Sequence, residues 1–299
     1  MTFVALLTKE LRLRLRRERS VWVIISYLLI MGVLGFGFLQ QQSAFSTTGY
    51  QSYLLSQIGG RLYGLLAYVQ LALIVFIAPA FTASAINGEK ERQTFDLLLC
   101  SKLSSFSLLA AKLVAGLANA LLLILASIPL FSLVFFFGGV SPAQVLSAVL
   151  VFVVTTIVAG TFGLFCSTVV RRPPVSTTMA YMFCVLWMTV PWVILILLLL
   201  NPLNSYSNPQ LTQNLLVWNP IAALTSTISG TSGGTNIFSW RSLHVPFWEA
   251  YSVLSLLITV VLFFLSVVFV KPNPIGRLRA QLRFLSKKSV SSTQGTVSA

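Results

Sequence analysis

Histidine, acids and cysteine are scarce in this chain. Of its 299 residues one is histidine, six are acidic and three are cysteine. The lone histidine, His244, falls in a polar stretch. That excludes a histidine-rich zinc site and weighs against a serine–histidine dyad inside an apolar core. Cys100, Cys166 and Cys184 show no CxxC spacing and read as small apolar side chains. No GxxxxGK[ST] phosphate loop occurs, so the chain cannot hold ATP in that way. Charged residues make up only 9%, where a soluble protein carries roughly 25%.

What is abundant is apolar: 56% of the residues, in several runs long enough to cross a bilayer. The expected class is an all-α membrane protein of six spans, at about 21–39, 62–86, 108–137, 143–169, 176–200 and 247–270. Gly32, Gly35 and Gly37 thin one face of the first span. Ala111/Ala115 and Gly116/Ala120 in the third, and Gly160 and Gly163 in the fourth, suit close helix contact. Pro191 should kink the fifth. Between the fifth and sixth lies a long polar loop, 201–246. Its apolar core, Leu215–Leu224, is too short to span and must lie in the interface or re-enter the membrane. Thr225–Asn236 is rich in Ser, Thr and Gly and reads as mobile.

The net charge of +14 would suggest nucleic acid in a soluble protein. Here the basic residues sort by side, so no nucleic-acid partner is expected. With both termini cytosolic, only Arg61 and Arg241 of the 20 Lys and Arg fall outside. Residues 1–19 carry Val4, Leu7, Leu11 and Leu15 on one helical face and Lys9, Arg12 and Arg16 opposite, an interfacial helix resting on membrane lipids rather than a cleavable leader. Residues 271–285 repeat the device, with Ile275, Leu278, Leu282 and Leu285 against Arg277, Arg279 and Arg283. Residues 286–299 read as a disordered tail.

The stretch around which the chain is organised runs from Asn87 to Ser104, on the cytosolic side between the second and third spans. It holds Glu89, Glu91 and Asp96, half of all the acids. Asn87 is a plausible N-cap, with Glu89 and Glu91 in the favourable first turn. Two apart on a helix, these glutamates do not face each other and do not make a catalytic carboxylate pair. Thr94 can cap a second short helix, with Asp96 just inside it and Leu97, Leu98 and Leu99 as its apolar body. Leucines in a solvated loop mark a partner surface or the membrane interface.

Read as Glu89-Lys-Glu-Arg-Gln-Thr-Phe-Asp-Leu-Leu-Leu-Cys-Ser-Lys-Leu-Ser104, with Lys112 later at the start of the third span, this segment resembles one in the permease subunits of type-2 ABC exporters. There the pattern is Glu-x-Glu/Arg-x-Gly-Thr-x-Glu/Asp-Leu-Leu-x-Ser/Thr-Pro-Leu/Val-Ser, followed by a lysine. Gln93 stands in place of the family's Gly, and Lys102 in place of its Pro. Without the Gly break, the second-span helix is free to run through Arg92. The resemblance implies a coupling helix that docks on a cytosolic ABC ATPase, using Glu89, Glu91, Arg92, Thr94, Phe95, Asp96, Leu97 and Leu98. It also implies a second permease subunit, identical or homologous, location in the plasma membrane, and ATP bound on the partner with no cofactor on this chain. An Asn-Pro element before the last span, here Asn219-Pro220, is common in that family.

No span carries an acid or base near its middle, which weighs against an ion-coupled secondary transporter, although backbone carbonyls can bind sodium. A non-transporting membrane scaffold is the other alternative, and the coupling-like segment argues against it. Gln70, Asn119, Thr155 and Thr156 are the deepest polar residues. They either line a substrate path or make ordinary interhelical hydrogen bonds. So few polar groups suit an amphiphilic or hydrophobic cargo better than a highly charged one. The expected protein is the membrane subunit of an ATP-driven exporter, without catalysis or metal of its own.

Overall fold

The computed structural model describes residues 18–43, 51–91, 105–170, 172–200, 214–229, 237–240 and 243–270. The elements are α1 (Glu18–Ser43), α2 (Gln51–Thr82), α3 (Asn87–Glu91), α4 (Ser105–Phe137), α5 (Pro142–Val169), α6 (Pro173–Leu200), α7 (Pro220–Ile228), β1 (Ile237–Trp240), β2 (Leu243–Pro246) and α8 (Phe247–Val270). Helices α1, α2, α4, α5, α6 and α8 are long and apolar enough to cross a membrane, six among the described residues. The interfacial segment up to residue 17, the basic segment 271–285 and the tail 286–299 lie outside the described residues.

Small side chains decide which helix stands in the middle. Helix α5 buries Ala148, Ala159, Gly160, Gly163 and a series of Val and Thr residues. Neighbours can therefore approach it closely on several sides, and dispersion and hydrogen bonds take over where lipid tails compete for apolar contact. It packs against α2, α4, α6, α7 and α8. Helix α1 lies at the periphery against α2 and α4. It buries Tyr27 and Met31 and turns Trp22, Leu29, Val33 and Phe36 outward. Helix α6 is equally exposed, with Met182, Leu186, Val193, Leu197 and Leu200 on its free face. Between α5 and α6, Phe162 stacks on Phe183 with centroids 3.6 Å apart.

One end of the bundle is built from turns. Gly138 and Gly139 both take positive φ, 76° and 81°, between α4 and α5. A Cβ on Gly139 would collide with the Ser56 backbone, so only glycine lets this turn sit against α2. Ser141 then caps α5 in a reciprocal capping box with Gln144, with Pro142 in the first turn. Helix α7 packs here against α2, α5 and α8 and buries Ala222, Ala223, Leu224 and Thr227. From Pro220 on, the Leu215–Leu224 core is thus helical and packed against three of the long helices. Thr225–Ile228, expected to be mobile, continues the α7 helix.

Other expectations are corrected as well. The all-α expectation holds for the bundle, but β1 and β2 form an antiparallel hairpin in the long loop, pairing Ile237 with Pro246 and Trp240 with Leu243. Of the three glycines in α1, Gly35 meets a neighbouring helix, through Leu66 and Leu62; for Gly32 and Gly37 no atom of the described residues lies within 4 Å of where a Cβ would stand. The second-span helix begins at Gln51 rather than 62 and ends at Thr82 rather than 86. It does not run through Arg92: residues 83–86 form a turn before α3.

Candidate functional site at the elbow after the second span

The elbow is made by two serines that belong to other helices. In a continuous helix the Asn87 N–H would bond the Ala83 carbonyl four residues back. Here the two halves of that bond are taken separately. Ser167 Oγ of α5 accepts the N–H groups of Ile86 and Asn87, at 3.0 and 3.1 Å. Ser176 Oγ of α6 donates to the Ala83 carbonyl at 2.9 Å. Hydroxyls that satisfy backbone groups this way offer an alternative to the helical ladder, and the helix stops. The turn stays compact through Ala85 N–H to Thr82 O (3.1 Å) and Gly88 N–H to Ser84 O (3.2 Å).

Just before the turn, Thr82 is fully buried where three helices meet. Its neighbours are Gly116 of α4 and Gly160 and Gly163 of α5. A Cβ on Gly163 would overlap Thr82 Oγ1, and one on Gly116 would lie 2.6 Å from its Cγ2. The hydroxyl itself donates back to Ala78 O at 3.1 Å. Within the turn, Ala85 and Ile86 join Leu109, Leu164 and Val270 in an apolar cluster. The elbow is therefore gripped by α4, α5, α6 and α8 together.

Of the eight residues expected to meet an ATPase, Glu89 and Glu91 lie in α3, with Glu91 exposed. Arg92, Thr94, Phe95, Asp96, Leu97 and Leu98 lie outside the described residues. Asn87 does not act as the expected cap: it is the first residue of α3, fully buried, and both side-chain polar atoms lack a partner among the described residues. Lys112 is only 6% exposed and packs on the same α4 face as Leu108, Leu109 and Ala115. Ser167 and Ser176 carry no local signal as elbow-makers. Gly160 and Gly163 did signal tight packing, but not against which residue.

The four deep polar residues lie at similar depth, about 18–21 Å along their helices from the elbow end. They serve different interfaces. Gln70 of α2 accepts from the Tyr27 hydroxyl of α1 through Oε1, while its buried Nε2 has no partner among the described residues. Thr155 donates to Val151 O at 2.7 Å, so the Tyr251 hydroxyl of α8, 2.9 Å away, donates to Thr155. Thr156 bonds Phe152 O of its own helix. Asn119 is buried on α4. Each hydroxyl is engaged within the bundle.

At the start of α7, Asn219 is fully buried and uses both ends of its amide. Oδ1 caps α7 at Ile221 N–H, 2.8 Å away. Nδ2 donates to Met188 O of α6 at 2.7 Å. Pro191 lacks the N–H that would serve a carbonyl one turn back, which loosens α6 beside this contact. Trp187 Nε1 adds a bond to Trp218 O at 2.6 Å.

A six-span bundle with its longest polar insert after the fifth span, and a short charged helix broken off the second, defines a multi-pass membrane protein of the permease type. A family model described as ABC-2 family transporter protein matches residues 4–273, and the chain belongs to that family. It is a membrane permease subunit of an ABC transporter, a transport component rather than a catalytic one. No curated protein matches it significantly.

Proposed function

We propose that this permease couples to a separate cytosolic ABC ATPase through residues 87–104 and works as an exporter, with the elbow end and both termini in the cytosol. The observation that carries the reading is the elbow itself. A charged helix with Glu91 exposed leaves the second span at a point gripped by four other spans. Displacement of α3 by a partner therefore has somewhere to go within the bundle. ATP closes the ATPase pair, α3 and the residues after it act as a lever, and the spans switch between inward- and outward-open states. A second permease subunit, identical or homologous, completes the path, and the plasma membrane is the expected site. The direction rests on the resemblance of residues 89–104 to the exporter segment.

In this reading Glu89, Glu91, Arg92 and Asp96 present charge to the ATPase, while Phe95, Leu97 and Leu98 fill an apolar pocket on it. Truncating a desolvated anchor at such an interface costs about 2 kcal/mol or more, whereas a solvated surface charge costs little. Glu89→Ala combined with Leu97→Ala should leave membrane insertion intact and strongly reduce copurification of the ATPase. Undiminished association of the double variant would show that residues 87–104 are not the docking element.

A further inference from the structure

Two attachments hold α3 to the spans, and they differ in kind. Toward α2 the helical ladder is interrupted at the Ala83–Asn87 pair. Toward α5 and α6 that interruption is filled by Ser167 and Ser176, both fully buried, with three hydrogen bonds between 2.9 and 3.1 Å. Buried hydrogen bonds of this kind are directional and shielded from water, so they resist displacement of one partner relative to the other. Thr82, wedged against Gly160 and Gly163, adds a steric stop against the same helix α5. A push on α3 is thus borne by the inner ends of the fourth and fifth spans as well as by the second.

A second observation concerns Asn87. Its amide is buried with neither Oδ1 nor Nδ2 partnered among the described residues. Leaving both ends of a buried amide unpaired is costly, and an arrangement that pairs them is favoured. The elbow backbone is thus held by three buried hydrogen bonds, while the Asn87 amide has no partner among the described residues.

We infer that Ser167 and Ser176 are positioning residues that make α3 and the adjoining ends of α5 and α6 move as one body. The inference rests on the coupling role proposed above for residues 87–104. Neither serine touches the ATPase or the cargo; each acts through the elbow backbone.

The test measures the link itself and needs no cargo. Spin labels are placed by Gly88→Cys, where a Cβ meets open space, and by Arg172→Cys, exposed at the α5–α6 junction, in a chain whose native cysteines are replaced. Distances are measured for the permease alone and for its complex with the ATPase, with and without ATP–vanadate trapping. With both serines present, the label-to-label distance should keep one narrow distribution in every state. In Ser167→Ala/Ser176→Ala it should broaden in the permease alone and shift on trapping, while the ATPase remains associated. Thr in place of each Ser, which keeps the hydroxyl, should restore the narrow distribution. A distance that changes on trapping with both serines intact, or a double variant indistinguishable from the parent, overturns the inference. Should the double variant fail to insert, Ser176→Ala alone, which removes one bond, is judged by the same criterion. The measurement without ATPase separates the two proposals, because the link can hold or fail there irrespective of where the ATPase docks.

Discussion

At the scale of single residues, Thr82 against Gly163 is one of the tight points of the bundle. Helical glycine costs roughly 1 kcal/mol relative to alanine, so its presence here needs a reason. The reason is space: the virtual Cβ falls on Thr82 Oγ1. Gly163→Ala should therefore destabilise the protein by about 1–3 kcal/mol, the usual range for overpacking, despite the better helix propensity. Thr82→Ala removes the offending atoms and should make Gly163→Ala tolerable. The double variant would then be more stable than the sum of the singles predicts, a coupling that direct contact allows and distant sites do not show. Thermal unfolding in detergent of the four proteins in this cycle measures it. Simple additivity would mean that the helices part enough to take the extra carbon.

At the scale of elements, α7 shows how a nine-residue helix becomes part of a membrane bundle. Such a helix is too short to be stable by itself. Asn219 holds its start twice over, capping Ile221 and tying it to the Met188 carbonyl. Its other end is held by Gln144 Nε2, which donates to Ile228 O at 3.3 Å, and the Tyr63 hydroxyl donates to Gln144 O at 3.0 Å. Asn219→Ala should cost about 1 kcal/mol for the cap, with a further cost of the same order for the buried amide lost to Met188. Asn219→Ser keeps a capping oxygen but is too short to reach α6. Hydrogen exchange across Pro220–Ile228 should rise in both variants, and more in the alanine one. Equal exchange in the two would show that the cap contributes nothing, and a serine variant that matches the parent would show the same of the tie to α6.

At the scale of the whole molecule, the charge distribution and the six spans make one statement about orientation. Basic residues near span ends favour the cytosolic face, and here Arg61 and Arg241 stand alone against all the rest. In a chain without its native cysteines, Lys90→Cys, Arg172→Cys and Val290→Cys should be shielded from impermeant thiol reagents in intact cells. Phe45→Cys and Ser232→Cys should be labelled. Labelling at 172 from outside would break the orientation. The broad apolar faces of α1 and α6 lie toward lipid or a second subunit, whereas α5 has almost none to offer.

Number and sequence of the spans were legible from composition because a bilayer imposes a length on every apolar run, whatever it packs against. The expected orientation has a similar source, since each Lys and Arg weighs on it one at a time. Small residues in α4 and α5 announced close packing, and the capping box at Ser141 and Gln144 could be read from their spacing alone. The elbow could not. The missing glycine at Gln93 argued for a helix running onward, and the break comes earlier, made by partners 81, 80 and 93 residues distant along the chain. Nothing local distinguishes Ser167 and Ser176 from the other hydroxyls of their helices. Asn87 went astray in the same way. A residue's polarity reveals what it needs, but only the packing of four other helices decides whether it meets water, lipid or a neighbour.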